Sequence, residues 1–314
     1  MASSRGLFLP QASDATVAWL FPGQGAQEVG MGRDVWDASP AARQVFETAD
    51  RVLGYSLSQI CFEGPDDRLR QTEYTQPAIF TTSLACLAAA VEAGAIAARP
   101  AFTAGHSLGE YSALVASGAL SLEDGLTLLD TRARLMAEAG RSHPGTLAAV
   151  LGMDEDAVRG ICADADVDVC NYNLPNQTVV GGTRPNVERA IELAKERGAQ
   201  RALELNVSGA FHSRLMRPAA DGLASAVAAA NLQTPQIPVV ANATAEAMTD
   251  VAAIRNELRA QVATAVRWHE SVTLMSAAGV NTFIEFGPGR VLTGMVKRLA
   301  STATLINISG LQPV

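Results

Sequence analysis

The chain has 314 residues, 48% hydrophobic and 18% charged, which indicates a globular protein with a substantial core and room for a smaller inserted domain. Its formal net charge of −8 argues against nucleic acid or an anionic membrane as the main partner, because both favour a basic surface. The four cysteines lack Cys-x-x-Cys spacing, so neither a zinc site nor a disulfide framework is predicted. No apolar stretch has the length of a membrane span, and we therefore expect a cytoplasmic protein.

The N-terminal part of the chain predicts a leader, a strand and a glycine-rich loop. Residues 1–14 are interpreted as a flexible leader, and residues 16–21 as a strand. The loop Pro22-Gly23-Gln24-Gly25 does not match a dinucleotide fingerprint, because Glu28 stands where the third glycine is required. The loop therefore predicts only a backbone that lies close to another group.

Two helices are predicted next. Ser39 and Pro40 form an N-cap and first-turn pair, and Gly54 stops the helix between them. A second helix is predicted over residues 77–93. Neither carries side chains that suggest chemistry.

Residues 105–109 read Gly-His-Ser-Leu-Gly and directly follow an apolar run, residues 101–104. This pattern is typical of a nucleophile elbow, in which Ser107 lies at a sharp turn between a strand and a helix. The unpaired N–H groups at the start of that helix would stabilise an oxyanion. A chance match in a glycine-rich turn is the alternative, and the five residues alone do not decide between the two.

The helix predicted over residues 121–140 carries two arginines in different surroundings. Arg134 lies four residues from Asp130 and from Glu138, which is an ordinary exposed charge ladder. Arg132 is flanked by leucine and methionine side chains, and burying a guanidinium without an anion costs several kcal/mol, roughly. Either a protein carboxylate or a ligand must therefore pair with Arg132.

The chain changes pattern between residues 146 and 207, where it predicts the order β-α-β-β-α-β of a ferredoxin-like unit. We interpret this segment as an inserted small domain. His212 follows it at the start of a helix, where the helix dipole favours a neutral, basic imidazole. Of the four histidines it is the best candidate partner for Ser107, although a catalytic and a structural role are both open.

Two features of the C-terminal part complete the pattern. Gln261 lies on the apolar stripe of a helix predicted over residues 251–263, which indicates a buried hydrogen bond, structural or catalytic. A strand over residues 282–286, the turn Gly287-Pro288-Gly289 and a helix over residues 291–299 follow. Arg290, Lys297 and Arg298 make that last helix the best candidate for a basic patch.

Taken together, these motifs resemble the malonyl-CoA:acyl-carrier-protein transacylase family, the acyltransferases of fatty-acid and polyketide synthesis. The resemblance spans about residues 17–299 and rests on residues 21–27, 105–114, 131–136, 171–177, 209–213, 261–268 and 287–289. It implies an α/β fold. An α/β-hydrolase-like large domain with a parallel sheet core (residues 15–141 and 208–314) would carry the inserted ferredoxin-like small domain (residues 142–207).

The resemblance also implies a role for each matching residue. Ser107 would be the acylated nucleophile and His212 its general base, and Gln261 would accept the ring N–H of His212 through its backbone carbonyl. The backbone N–H groups of Gln24 and Leu108 would form the oxyanion hole. Arg132 would bind the malonyl carboxylate, and Phe211 would favour malonyl over methylmalonyl groups.

The implied reaction moves malonyl from malonyl-CoA to the phosphopantetheine thiol of acyl-carrier protein in fatty-acid synthesis, with ping-pong kinetics. The implied protein is a monomer that uses no metal and no cofactor and binds neither nucleic acid nor membrane. Three alternatives stay open: a free-standing polyketide acyltransferase, a serine thioesterase or hydrolase, and a non-catalytic module that binds malonyl-CoA or docks a carrier protein. A hydrolase would need an acidic partner for the histidine, and a binding module would leave the pair of Ser107 and His212 unexplained.

Overall fold

The computed structural model of the protein describes residues 8–310. The strands are β1 (Ala12–Phe21), β2 (Ala98–Gly105), β3 (Thr146–Leu151), β4 (Asp168–Leu174), β5 (Gln177–Gly182), β6 (Arg201–Glu204), β7 (Val239–Val240), β8 (Ala247–Met248), β9 (Thr282–Phe286) and β10 (Thr304–Ile308). The helices are α1 (Arg33–Ala38), α2 (Pro40–Leu53), α3 (Leu57–Glu63), α4 (Asp66–Leu69), α5 (Thr72–Glu92), α6 (Gly109–Ala116), α7 (Leu122–Ser142), α8 (Glu155–Ala165), α9 (Arg184–Glu196), α10 (Arg217–Ala229), α11 (Val251–Ala260), α12 (Trp268–Ala277) and α13 (Val291–Leu299). Short 3-10 turns cover Arg214–Met216 and Gln261–Ala263. Within this described part, no helix is both long and apolar enough to cross a membrane.

The larger sheet is mostly parallel and carries the turn at Ser107. Over residues 8–310 its strand order is β10-β9-β1-β2-β7-β8, and only the β7–β8 pair is antiparallel. The end of β1, Ala18 to Phe21, is completely buried, as expected for a central strand that is covered on both faces. The loops after β1 and β2 therefore meet at one edge of the sheet.

The smaller sheet is antiparallel, and its elements follow the predicted order β-α-β-β-α-β from β3 to β6. Its strand order is β4-β5-β3-β6, so that β5 separates the parallel strands β3 and β4. Apolar side chains of α8 and α9 pack against it, among them Val158, Ile161 and Val187. At the edge of this sheet, Cys170 and Tyr172 exchange backbone hydrogen bonds with Val266, which ties β4 to the segment before α12.

Local capping signals located several elements correctly. Ser39 caps α2 by accepting a hydrogen bond from the backbone N–H of Ala42, and Gly54 ends the helix with a φ of 75°. Ser121 caps α7 in the same way by accepting a hydrogen bond from the backbone N–H of Asp124. These boundaries depend on short-range hydrogen bonds, which the sequence displays directly.

Two N-terminal boundaries differ from the prediction. Helix α5 begins at Thr72 and includes Pro77 in its second turn, because its side chains are almost all buried and packing outweighs one missing backbone hydrogen bond. Of the predicted leader, residues 1–7 lie outside the described chain, whereas Phe8 is buried in the core and β1 begins at Ala12. Residues 12–14 pair with β2, so this part of the leader prediction is wrong.

Candidate active site

Ser107 lies at a sharp turn between β2 and α6. Its φ is 54°, in the left-handed region that a residue with a side chain rarely adopts. The flanking glycines permit this turn: a Cβ on Gly105 would lie 1.9 Å from the backbone of Gly109, and one on Gly109 would lie 2.2 Å from the carbonyl oxygen of Phe21. The geometry of a nucleophile elbow is therefore present.

His212 contacts Ser107 with the tautomer that a general base requires. Its Nε2 lies 2.7 Å from Ser107 Oγ, and its Nδ1 lies 2.9 Å from the carbonyl oxygen of Gln261 and 3.2 Å from that of Thr264. Because carbonyl oxygens only accept, Nδ1 carries the proton and Nε2 offers its lone pair to Ser107. Burial, assisted by the charge of Arg132, lowers the pKa of His212 to about 3, so the ring is neutral at physiological pH.

Arg132 is a buried cation beside Ser107, with only 1% of its surface exposed. Its guanidinium donates to Gln76 Oε1 at 2.6 Å and to Gln261 Oε1 at 2.9 Å, and Nη2 also donates to Ser107 Oγ at 3.0 Å. No carboxylate of residues 8–310 lies within ion-pair distance of it, and its Nε has no hydrogen-bond partner there. Of the two options that the sequence leaves open, the ion pair with a protein carboxylate is therefore wrong.

Gln261 supports three groups of the site at once. Its backbone carbonyl accepts from His212, its Oε1 accepts from Arg132, and its Nε2 donates to the carbonyl oxygen of Ser107 at 2.9 Å. The side chain is completely buried, as its position on an apolar stripe predicts. One residue thus bonds to His212, to Arg132 and to the turn at Ser107.

The loop after β1 packs directly on the nucleophile turn. A Cβ on Gly23 would lie 2.7 Å from the carbonyl oxygen of His106, so only glycine allows this approach. The backbone N–H groups of Gln24 and Leu108 make no hydrogen bond to any residue of the described chain. Two free N–H groups, one on each side of this contact, are what an oxyanion hole requires.

A cavity of about 600 Å³ opens above Ser107 between the two sheets. Its wall includes Phe211, which is 6% exposed, together with Leu147 and Val179 of the small sheet and Met295 of α13. The cavity therefore combines apolar walls with a few polar groups at its base, which is typical of a small-molecule site.

The other histidines lie apart from Ser107 Oγ. His106 is turned toward Asn173, with its Nε2 2.9 Å from Oδ1. His143 caps the end of α7, and His269 lies on α12 with its Nε2 2.8 Å from Glu155 Oε1. Within residues 8–310, Glu155, His269 and Glu270 are the one group close enough to share a metal ion, but none of them lines the cavity.

Two residues of the site carry no clear signal in the sequence. Gln76 lies on α5 and holds Arg132, and its polarity within an apolar helix was the only available hint. Asn242 follows β7, and its Oδ1 accepts from the backbone N–H of Ser107 at 2.6 Å, a contact across 135 residues that no local sequence pattern predicts.

Arg298 of the predicted basic patch is exposed, and its Nη1 lies 3.4 Å from Gln177 Oε1.

Comparisons with known proteins agree with this geometry. Residues 18–308 match the family model described as acyl transferase domain. The chain is 45% identical to the malonyl CoA-acyl carrier protein transacylase of Bacillus subtilis, and the match covers 93% of each chain.

Two solved structures are similar in fold. The acyl carrier protein S-malonyltransferase of Vibrio cholerae is 42% identical and has a TM-score of 0.90, with 94% of this chain and 97% of that chain covered. A malonyl-transacylase in complex with its type II PKS acyl-carrier protein is 38% identical and also has a TM-score of 0.90, with 94% and 96% covered. This chain belongs to the acyl transferase family and, within it, to the malonyl CoA-acyl carrier protein transacylases.

Proposed function

We propose that this protein transfers malonyl from malonyl-CoA to the phosphopantetheine thiol of an acyl carrier protein in fatty-acid synthesis, through a malonyl ester on Ser107. The observation that carries the proposal is Arg132, a buried cation that touches Ser107 Oγ and has no protein carboxylate within reach. A malonyl group brings both the acyl carbon that Ser107 attacks and the anion that Arg132 lacks. The relatives carry names for this same reaction.

In the first half-reaction, Ser107 Oγ attacks the thioester carbon while its proton passes to Nε2 of His212. The negative oxygen that forms is held by the N–H groups of Gln24 and Leu108. When the tetrahedral intermediate collapses, the C–S bond breaks, and the departing CoA thiolate takes the proton from His212.

The second half-reaction runs these steps in reverse with a new thiol. The phosphopantetheine thiol gives its proton to His212 and attacks the malonyl ester. The ester C–O bond breaks, Ser107 regains its proton, and malonyl leaves as a thioester of the carrier protein. Burial keeps the resting His212 ring neutral, so the lone pair of Nε2 faces Ser107 Oγ and is free to accept a proton at the start of each half-reaction.

The competing functions fit these residues less well. Carbonyl oxygens of Gln261 and Thr264 orient His212 where a typical serine hydrolase would use an acid, and hydrolysis assigns no task to Arg132. A binding module would have no use for the contact between Ser107 and His212 at 2.7 Å. A polyketide acyltransferase is the second candidate, because one similar structure holds a type II PKS carrier protein.

For the architecture, we propose a large α/β-hydrolase-like domain (residues 15–141 and 208–314) and a ferredoxin-like small domain (residues 142–207). The parallel sheet with Ser107 after one of its strands supports the first assignment. The split arrangement of β3, β5 and β4 supports the second. A cytoplasmic monomer that uses no metal or cofactor and binds neither nucleic acid nor membrane stays a prediction, as does the role of Phe211 in excluding methylmalonyl groups.

The test is the intact mass of the protein after mixing with malonyl-CoA or acetyl-CoA, followed by addition of an acyl carrier protein. Wild type should gain a malonyl adduct that then moves to the carrier, and Ser107→Ala should gain none. Rapid loss of the adduct to water would favour a hydrolase, and the absence of any adduct would favour a binding module.

A further inference from the structure

The side chain of Asn242 makes two hydrogen bonds to the backbone of the turn at Ser107. Its Oδ1 accepts from the backbone N–H of Ser107 at 2.6 Å, and its Nδ2 donates to the carbonyl oxygen of Gly105 at 2.7 Å. The residue is 1% exposed, so both hydrogen bonds are shielded from water. One amide therefore bonds to the chain on both sides of His106.

This pairing continues the parallel sheet beyond the end of β7. Strands β2 and β7 pair Thr103 with Val239 and Ala104 with Val240, and the same register puts Asn242 opposite His106. In a parallel pair, one residue bonds the residues before and after its partner. The Asn242 side chain makes these two bonds in place of a backbone.

Two buried carboxyl groups hold the Asn242 backbone in turn. Its N–H donates to Glu110 Oε2 at 2.8 Å, and the next N–H, of Ala243, donates to Glu257 Oε1 at 2.8 Å. Burial raises the pKa of Glu110 well above its ordinary value, and the nearby charge of Glu257 raises it further. Two adjacent carboxyl groups are thus kept in the interior although neither takes part in the acyl transfer.

The turn is consequently fixed on both faces. Asn242 bonds the Ser107 N–H, while Gln261 and the N–H of Glu110 bond the Ser107 carbonyl oxygen. In a trans peptide the carbonyl and the following N–H point in opposite directions, so these bonds also direct the free N–H of Leu108. A residue with φ of 54° needs such support, because this conformation costs about 1–3 kcal/mol.

We propose that Asn242 is a positioning residue for acyl transfer. Its amide, supported by Glu110 and Glu257, keeps Ser107 Oγ within hydrogen-bond distance of His212 Nε2 and keeps the Leu108 N–H directed into the oxyanion hole. The inference rests on the proposed transferase function and adds a residue that touches neither substrate nor reacting atom. Its chemical requirement is specific, since the position must offer one acceptor and one donor at once.

Asn242→Asp tests this requirement with almost no change in volume. An ionised carboxylate has no hydrogen to donate to Gly105, whereas a protonated carboxyl group restores both bonds. Activity of this variant relative to wild type should therefore rise as the pH falls. The charged or titratable groups around the position come from several elements: His106, Glu110, Arg132, Glu257 and Arg267.

These neighbours favour the protonated carboxyl in sum. The charge of Glu257, which already raises the pKa of Glu110, opposes a further negative charge beside it. Burial lowers the pKa of His106, which disfavours a positive charge on that ring. The charge of Arg132 on α7 favours the ionised carboxylate instead, but its guanidinium is already bonded to Gln76 and Gln261. The charge of Arg267 is paired with Glu270.

The experiment compares wild type, Asn242→Ala, Asn242→Asp and the control Thr103→Val. Thr103 is also buried on β2 and donates to the carbonyl oxygen of Ala113 at 3.3 Å, so its loss removes a comparable bond away from the turn. Two rates are measured: malonyl transfer to the carrier, and covalent labelling of Ser107 by a fluorophosphonate, in which an O–P bond forms and fluoride leaves.

For Asn242→Ala we expect both rates to fall about 100-fold, as when a catalytic group is misplaced or an oxyanion donor is lost. The KM for malonyl-CoA should stay within about threefold of wild type, because Arg132 and the cavity are unchanged. At pH 8, both rates of Asn242→Asp should be as low as those of Asn242→Ala. At pH 5.5, its rates relative to wild type should be at least about tenfold higher than at pH 8. Thr103→Val should retain both rates.

The proposal is overturned if Asn242→Ala keeps both rates within about threefold, or if the defect of Asn242→Asp is the same at both pH values. It is also overturned if both Asn242 variants fail to fold while Thr103→Val folds, because the role is then general stability. Labelling separates this inference from the proposed function. A wild type that is labelled but transfers no malonyl refutes the transferase, and slower labelling of Asn242→Ala still supports the positioning role.

Discussion

Arg132→Ala should remove most of the preference for malonyl over acetyl groups. The guanidinium is buried, bonds to two amides and the Ser107 hydroxyl and lies over the Tyr111 ring. Within residues 8–310 no carboxylate is in ion-pair contact with it, so the malonyl carboxylate would be its direct anionic partner. Truncating one member of such a buried, hydrogen-bonded charge pair costs about 2–5 kcal/mol. At 1.4 kcal/mol per tenfold, the ratio of kcat/KM for malonyl-CoA to kcat/KM for acetyl-CoA should fall about 30-fold to about 4,000-fold.

The same substitution also disturbs groups that every substrate uses. It removes the bond to Ser107 Oγ and leaves the amide oxygens of Gln76 and Gln261 without their donor, which costs about 1–3 kcal/mol of stability for each group. These losses affect malonyl-CoA and acetyl-CoA alike and cancel in the ratio of their kcat/KM values. The ratio therefore isolates the contribution of the carboxylate.

The assay measures kcat/KM for both thioesters with one carrier protein, at several ionic strengths. Arg134→Ala is the matched control, since Arg134 lies on the same helix, is 63% exposed in its side chain and pairs with Asp130. The control should keep the wild-type ratio. If Arg132→Ala also keeps it within about threefold, then Arg132 does not bind the substrate carboxylate.

Three further predictions follow from the same geometry. Gln76→Leu removes the acceptor 2.6 Å from the Arg132 guanidinium, and should lower kcat/KM for malonyl-CoA about tenfold while acetyl transfer changes less, measured by the same two-substrate assay. The low pKa of His212, about 3, means that the unfolded chain binds more protons below its ordinary value of 6.5. This residue therefore makes the free energy of unfolding decrease as the pH falls from 6.5 toward 3. His212→Gln should show a shallower decrease in denaturant titrations at pH 7 and 4.5, and an equal slope would contradict the neutral buried ring. Gly105→Ala should abolish activity and soluble expression, because its Cβ would lie 1.9 Å from a backbone atom. The control is Gly294→Ala, which lies in open space within α13, should stay active and should raise the free energy of unfolding by about 1 kcal/mol. Similar behaviour of both variants would argue against the close approach of Gly105 to Gly109.

Short-range features of the chain determined most of the elements and the turn on which Ser107 lies. Ser39, Gly54 and Ser121 act on neighbours within a few residues, so their caps are visible in the sequence. The elbow is equally local, because Gly105 and Gly109 relieve contacts within one turn. The β-α-β-β-α-β order between β3 and β6 follows from the same kind of periodicity.

Boundaries that depend on distant packing were less visible. The first residues of β1 are exposed and polar, and only pairing with β2 makes them a strand. Pro77 usually begins a helix, and only the burial of α5 on all sides explains its place in the second turn. In both cases the deciding contacts lie far along the chain.

The tertiary structure alone decided what surrounds Arg132 and what holds Ser107. The apolar stripe on α7 showed that an anion was needed, but only the three-dimensional arrangement shows that amides of Gln76 and Gln261 stand where a carboxylate could have been. Asn242 reaches Ser107 across 135 residues of chain. Hydrogen bonds across such separations exist only once the larger sheet and the helices around it have formed. The sequence specifies which groups can bond, whereas the fold brings them within 3 Å, roughly the reach of a hydrogen bond.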